Sequence, residues 1–133
     1  MKKRLEGVNV LLVEDDEEYA RIMSERLRRQ GCIVTICYNG DMVFDFLKGI
    51  IADIIIMDVN LPGKDGYTLC KELKGDDRYS KIPLVLLSAD NDSTTSTRYS
   101  DRINDQSPAD AHLVKTYGAT KNLVDAIIYL LKL

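Results

Sequence analysis

The chain has 133 residues, of which 45% are hydrophobic and 29% are charged, and its formal net charge is −3. This length suits one domain with a hydrophobic core, and these proportions are ordinary for a globular protein. The small negative charge excludes a general attraction to nucleic acid or to anionic membranes. No apolar run approaches the length of a membrane span, and the start, MKKRLEGVNV, lacks the apolar segment of a secretory signal.

Three cysteines indicate the compartment. Cys32 and Cys37 lie five residues apart on one predicted strand, so their side chains should point to opposite faces, and Cys70 is distant in sequence. Unpaired, buried cysteines are typical of a reducing environment. The cysteines therefore predict a cytoplasmic protein. From the charge and the short apolar runs, we also expect that this domain contacts no membrane and does not bind nucleic acid directly.

Five short apolar runs predict β-strands that are covered on both faces, because they are rich in β-branched residues and lack polar alternation. In chain order they are VNVLLV (8–13), CIVTIC (32–37), DIIIMD (53–58), LVLLS (84–88) and AHLVK (111–115).

Amphipathic stretches between these runs predict helices. They are EEYARIMSERLRRQ, which should end at Gly31, then DMVFDFLKG, YTLCKELKG and the C-terminal TKNLVDAIIYLLKL. The connection 91–108 is different, because its serines and threonines compete for backbone hydrogen bonds and disfavour a helix interior. Here we expect a short or frayed helix near 96–105.

Alternation of strands and helices predicts an α/β fold with a doubly wound parallel sheet and helices on both faces. The expected architecture is flavodoxin-like, with five strands in the order 2-1-3-4-5. We expect a single domain over 1–133, with a core from about 7 to 131 and no output domain. In such sheets, ligands bind at the carboxyl ends of strands 1 and 3, where the strand order reverses.

Polar residues follow the carboxyl ends of these strands. Glu14 and Asp15 follow strand 1, Asp58 ends strand 3, Ser88 ends strand 4 and Lys115 ends strand 5. Three carboxylates against one lysine leave two negative charges, which a Mg²⁺ ion neutralises with the oxygen ligands it prefers. Such a site suits phosphoryl transfer, in which a carboxylate can act as nucleophile and form an aspartyl-phosphate.

These residues resemble the receiver domain of bacterial two-component response regulators over nearly the whole chain. The motifs that carry the resemblance are Glu14–Asp15, Asp58 followed by LPGKDG, Ser88–Ala89, and Lys115. The resemblance implies a phosphorylation-dependent signalling switch of a two-component or phosphorelay system, and not an enzyme in the usual sense. A histidine kinase or histidine phosphotransfer protein would donate the phosphoryl group to Asp58. The face formed by the short helix expected near 96–105, strand 5 and the C-terminal helix would then change and meet a downstream protein.

The resemblance also implies the metal ligands and the phosphoryl contacts. Glu14, Asp15, Asp58 and the backbone carbonyl of Asn60 would bind Mg²⁺, for which Mn²⁺ can substitute. Lys115 would contact the phosphoryl group. A phosphorylation-dependent homodimer is compatible with the resemblance.

The remaining implied roles concern switching and hydrolysis. Ser88 would be the switch hydroxyl, and His112, the single histidine, would occupy the position of a side chain that swings inward on activation. The alternative for His112 is a half-exposed strand residue without a function. Asn60 and Asp90 stand where the family modulates dephosphorylation, and their polar character suits a short-lived phosphoryl group.

Two departures from the family pattern matter. Thr116 follows Lys115, where the family usually has a proline after a cis bond. A non-proline cis bond costs about 2.5–4 kcal/mol, so we predict a trans bond between these two residues. The segment from Ser88 to Lys115 is also several residues longer than usual, with the surplus in 91–108, so the output surface is not carried over from the family.

Other functions remain as alternatives. A degenerate receiver would act as an unphosphorylated protein-interaction scaffold. A Mg²⁺-dependent phosphohydrolase of the haloacid-dehalogenase type would need a second aspartate two residues after the nucleophile, where this chain has Asn60. A flavodoxin is disfavoured, because the acidic loop after strand 1 would repel the phosphate of FMN.

Overall fold

A computed structural model describes residues 3–89, 108–116, 118 and 120–133. Its centre is a parallel sheet in the order β2-β1-β3-β4-β5, which confirms the predicted order. The strands are β1 (Asn9–Val13), β2 (Ile33–Cys37), β3 (Ile54–Asp58), β4 (Leu84–Ala89) and β5 (Ala111–Lys115).

The helices follow the predicted amphipathic stretches. They are α1 (Glu17–Arg29), a short 3-10 helix (Gly40–Met42) that leads into α2 (Val43–Gly49), α3 (Gly66–Lys74) and the C-terminal α4 (Thr120–Leu131). The helix expected near 96–105 lies outside the described residues. Within the described part of the chain, every helix is too short or too polar to cross a bilayer.

Helices cover both faces of the sheet, as predicted. Leu12 of β1 packs in a core with residues of α1 and α4. Its neighbour Leu11 packs in a second core, on the opposite face, with residues of α2 and α3. Cys32 belongs to the first core and Cys37 to the second, which confirms that these two cysteines point to opposite sides.

The ends of α1 explain where the loop after β1 is placed. The side chain of Asp16 accepts a hydrogen bond from the backbone N–H of Tyr19 at 3.1 Å, which caps the helix. After the last turn, Gly31 has φ of +103°, a conformation that side chains other than glycine rarely adopt. The Asp16 cap fixes the start of α1 beside the carboxyl end of β1, whereas Gly31 follows α1 and lets the chain turn into β2.

The start of α3 lies directly against the end of β3. The Gly66 N–H donates a hydrogen bond to the Val59 carbonyl at 3.0 Å. A Cβ on Gly66 would lie 2.5 Å from the carbonyl oxygen of Asp58, which is well inside van der Waals contact. Glycine is therefore required for this close approach, which packs α3 against the backbone of the candidate nucleophile.

Candidate functional site

Asp58 is the last residue of the fully buried strand β3, and it is only 4% exposed. The backbone N–H of Asn60 donates to its Oδ1 at 3.0 Å, and Lys115 Nζ donates to its Oδ2 at 3.0 Å. A buried carboxylate is costly unless it is hydrogen-bonded or paired. Each oxygen of Asp58 has such a partner, so the carboxylate is held in one orientation at the edge of the sheet.

Lys115 bridges two carboxylates at the end of β5. Its Nζ lies 2.6 Å from Glu14 Oε1 and 3.0 Å from Asp58 Oδ2, and its side chain is 17% exposed. Burial alone would lower the pKa of Lys115, but the contacts with the two carboxylates outweigh burial and raise this pKa above its ordinary value. Lys115 therefore stays positively charged at neutral pH.

Glu14 is fully buried immediately after β1. Burial raises its pKa to about 7, and repulsion from Asp58 adds to this, while Lys115 and the backbone N–H of Asp16 act in the opposite direction. One lysine is thus not enough to keep Glu14 fully ionised at neutral pH. A further cation at this position would favour the carboxylate form.

The acidic side chains form one cluster that opens to solvent. Carboxylate oxygens of Glu14, Asp15 and Asp58 lie within 4.8 Å of one another, and Asp15 is exposed while the other two are buried. Hard oxygen donors with an open side are the kind of site that Mg²⁺ occupies, since this ion keeps several waters. These residues fit a divalent cation by donor type, by charge and by the raised pKa of Glu14.

Ser88 lies at the same edge of the sheet. It is half-buried, and it directly follows Leu87, the residue of β4 that stands opposite Asp58 in the register. In the next pair of strands, Ala89 stands opposite Lys115. The topology therefore brings Ser88 to the edge that carries the acidic cluster.

Two further residues were predicted to modulate dephosphorylation. Asn60 is exposed and follows Asp58 closely, with its backbone N–H bound to the carboxylate. Asp90 lies outside the described residues.

His112 stands apart from the acidic cluster. It pairs with Leu86 in the middle of the β4–β5 ladder, and it is half-buried. It precedes Lys115 by three residues, or about 10 Å along a strand. Among the described residues, its buried Nε2 has no hydrogen-bond partner, and burial lowers its pKa. A direct catalytic role for this histidine has no support in the geometry, and its switch role stays a prediction.

The lysine loop shows what the sequence interpretation missed. The described residues contain no cis peptide bond, so the predicted trans bond between Lys115 and Thr116 is confirmed. The ring centroid of Tyr19 lies 4.7 Å from Lys115 Nζ, and its hydroxyl donates to the Thr116 carbonyl at 3.4 Å. The sequence analysis assigned Tyr19 no role beyond the predicted amphipathic helix EEYARIMSERLRRQ that contains it. The position of Tyr19 one turn after Asp15 is the signal that it faces the site.

Comparison with known families identifies one that covers most of the chain. The family described as "Response regulator receiver domain" matches residues 10–127. The transcriptional regulatory protein BaeR of Escherichia coli is 35% identical over 80 residues, which are 60% of this chain and 32% of BaeR. The response regulator PleD of Caulobacter vibrioides is 34% identical over 83 residues, which are 62% of this chain and 18% of PleD. The matched region thus spans about a third or less of these relatives.

A solved structure gives the same assignment over a longer stretch. The signal receiver domain of a signal transduction histidine kinase from Syntrophus aciditrophicus superposes with a TM-score of 0.81 at 29% identity. The superposition covers 95% of this chain and 91% of that domain.

Proposed function

The chain belongs to the response regulator receiver domain family of two-component signalling, and from this premise we propose that it is a switch operated by phosphorylation of Asp58. One observation carries the proposal. Asp58 is buried at the carboxyl end of β3 with one oxygen bound to Lys115 Nζ, inside a cluster with Glu14 and Asp15. Members of the family accept a phosphoryl group and are not conventional enzymes.

The acidic cluster is the proposed site for Mg²⁺, with Mn²⁺ as a substitute. Glu14, Asp15, Asp58 and the backbone carbonyl of Asn60 would hold the ion. When bound, the ion supplies positive charge that offsets repulsion between the carboxylates and an incoming phosphoryl group. The complete burial of Glu14 beside Asp58 supports this assignment, because a bound cation would offset the cost of burying two neighbouring carboxylates.

In the proposed reaction, a carboxylate oxygen of Asp58 forms a bond to phosphorus. The bond from phosphorus to the donor breaks, and its electron pair leaves with the donor atom. Lys115 is already within hydrogen-bond distance of Asp58, so its ammonium would meet the negative charge of the arriving phosphoryl oxygens. Water then attacks the aspartyl-phosphate and releases inorganic phosphate, and Asn60 and Asp90 would influence that rate.

A change of the surface that includes β5 and α4 is the proposed output. Ser88 would turn its hydroxyl toward the phosphoryl group, and His112 on the adjacent strand would change its exposure. Two observations support these roles. Ser88 follows the β4 residue that stands opposite Asp58, and His112 is half-buried. The altered surface would then contact a downstream protein or a second copy of the chain.

The phosphoryl donor in this proposal is a histidine kinase or a histidine phosphotransfer protein. The chain is similar to a receiver domain of a histidine kinase and to separate response regulators, and this similarity supports such a donor. The donor would be of the same kind whether the receiver domain belongs to a kinase or to a separate regulator. The formal net charge of −3 favours a protein over a nucleic acid as the contact of this domain.

Phosphorylation by a small donor tests the proposal. The protein is incubated with Mg²⁺ and acetyl phosphate, and intact mass is followed together with sensitivity to hydroxylamine. We expect a gain of one PO₃ group that depends on Mg²⁺ and is absent from Asp58→Asn. Asp53→Asn is a matched control, because Asp53 precedes the same strand and binds Asn9 at the opposite edge of the sheet. That variant should be phosphorylated like the wild type.

Other outcomes would favour the alternatives. A wild type that gains no phosphoryl group and binds no beryllofluoride would be a scaffold. Continuous release of phosphate from organic phosphomonoesters would instead indicate a phosphohydrolase. A phosphorylated form that persists for many hours with Mg²⁺ would contradict the proposed short lifetime.

A further inference from the structure

Tyr19 lies in the first turn of α1 and is only 3% exposed. Its backbone N–H is bound to the side chain of Asp16, which caps this helix. The helix end next to the acidic cluster therefore fixes the backbone of Tyr19. Its side chain points from there toward the end of β5.

Tyr19 contacts the lysine loop at two points. Its ring centroid is 4.7 Å from Lys115 Nζ, within the range of a cation–π interaction. Its hydroxyl donates to the backbone carbonyl of Thr116 at 3.4 Å. One rigid side chain thus meets both the charged head of the lysine and the peptide that follows it.

Lys115 needs such support more than Asp58 does. Asp58 ends a strand in which every residue is buried, whereas β5 lies at the edge of the sheet and contains no fully buried residue. The lysine side chain is long and has many rotamers, so ordering it costs conformational entropy. Contacts with both the ammonium group and the adjacent backbone reduce the number of orientations that the Lys115 side chain can adopt.

We propose that Tyr19 is a positioning residue for phosphoryl transfer, which holds Lys115 Nζ between Glu14 and Asp58 through its ring and holds the following peptide through its hydroxyl. This inference rests on the proposed function. Tyr19 does not touch the phosphoryl group in this proposal and acts only through Lys115.

The test compares Tyr19→Leu and Tyr19→Phe with the wild type. The rate of phosphorylation by acetyl phosphate is measured at saturating Mg²⁺, and the Mg²⁺ dissociation constant is measured by calorimetry. We expect Tyr19→Leu to react about tenfold more slowly, since small misplacements of a catalytic group have effects of this order or larger. Tyr19→Phe keeps the ring and should lose less, and Mg²⁺ affinity should not weaken in either variant.

A double-mutant cycle separates positioning from a general loss of structure. In the Lys115→Ala background, Tyr19→Leu should no longer slow the residual reaction, because the group through which it acts is gone. Met23→Ala is a matched control, since Met23 is a buried residue of the same helix and packs in the same core. It should lower the melting temperature without changing the phosphorylation rate of the folded protein.

Three results would overturn the inference. Equal rates for the wild type and Tyr19→Leu would exclude a positioning role and leave the proposed function intact. An equal fold-loss from Tyr19→Leu with and without Lys115 would show that the effect is only structural. A wild type that gains no phosphoryl group would overturn both the proposed function and this inference.

Discussion

Strands β3 and β5 both end at the candidate site, but they are held in place by different forces. All five residues of β3 are buried, and the strand lies between β1 and β4. Strand β5 lies at the edge of the sheet, and Val114 on it is 47% exposed. Apolar packing therefore positions Asp58, whereas ion pairs and the contacts of Tyr19 position Lys115. Polar contacts can exchange partners at lower cost than a core can repack, so we expect adjustment at β5 while β3 stays unchanged.

The largest expected effect is on stability. Ile56 of β3 is completely buried, while Leu113 of β5 is partly buried against the same core. Ile56→Ala should lower the free energy of unfolding by about 3 kcal/mol and Leu113→Ala by about 1 kcal/mol, because truncation costs depend on burial and on the cavity left behind. Urea denaturation of both variants measures the difference. Equal losses would contradict the contrast between the two strands.

A second prediction concerns the charge of Lys115. Lys115→Met leaves two buried carboxylates without their cation, so it should lower the free energy of unfolding by about 2 kcal/mol without Mg²⁺. Saturating Mg²⁺ should reduce this loss, since the ion would take over the compensation of charge. Chemical denaturation with and without Mg²⁺ measures both values.

Lys121→Met is the matched control for this experiment. Lys121 pairs with Asp125 on the surface of α4, and its side chain is 86% exposed. Its removal should change stability little, with or without Mg²⁺, because exposed ion pairs contribute little. If Mg²⁺ does not reduce the loss of stability in Lys115→Met, then Lys115 and the ion do not both compensate the charge of the two carboxylates.

The smallest effect concerns pH and His112. Burial lowers its pKa below the ordinary 6.5, so its neutral form is favoured in the folded state. This contribution to stability is present above pH 6.5 and is lost as the pH falls through the lower folded value. Because the chain has one histidine, its ring resonances in an NMR titration report the pKa directly.

His112→Phe provides the comparison for the pH experiment. Between pH 7 and pH 5, the wild type should lose more stability than this variant, because only the wild type must protonate a half-buried imidazole. A titration midpoint at or above 6.5 would show instead that β5 leaves this side chain solvated.

Much of the fold was predictable from local patterns. The apolar runs predicted all five strands, because strands covered on both faces lack polar alternation. The stretch DMVFDFLKG predicted one helix, and the structure divides it into a 3-10 helix and α2. The side chain of Asn39 accepts a hydrogen bond from the Asp41 N–H at this start, a local competition that periodicity does not report.

The members of the site were also predictable, since the strand order brings carboxyl ends of parallel strands to one edge. Glu14, Asp15 and Asp58 were expected to lie together, and their oxygens do. Their individual states were not predictable. Glu14 is fully buried while its neighbour Asp15 is exposed, and this difference depends on tertiary contacts such as the ion pair of Glu14 with Lys115.

Sequence alone was therefore sufficient for the order of strands and for the acidic edge, because both follow from short-range patterns and from topology. Contacts between residues far apart in the chain needed the folded structure. Lys115 is 57 residues from Asp58, and Tyr19 is 97 residues from Thr116. Such pairs leave no periodic signal, because their distances are set by how the strands and α1 pack together in the folded protein.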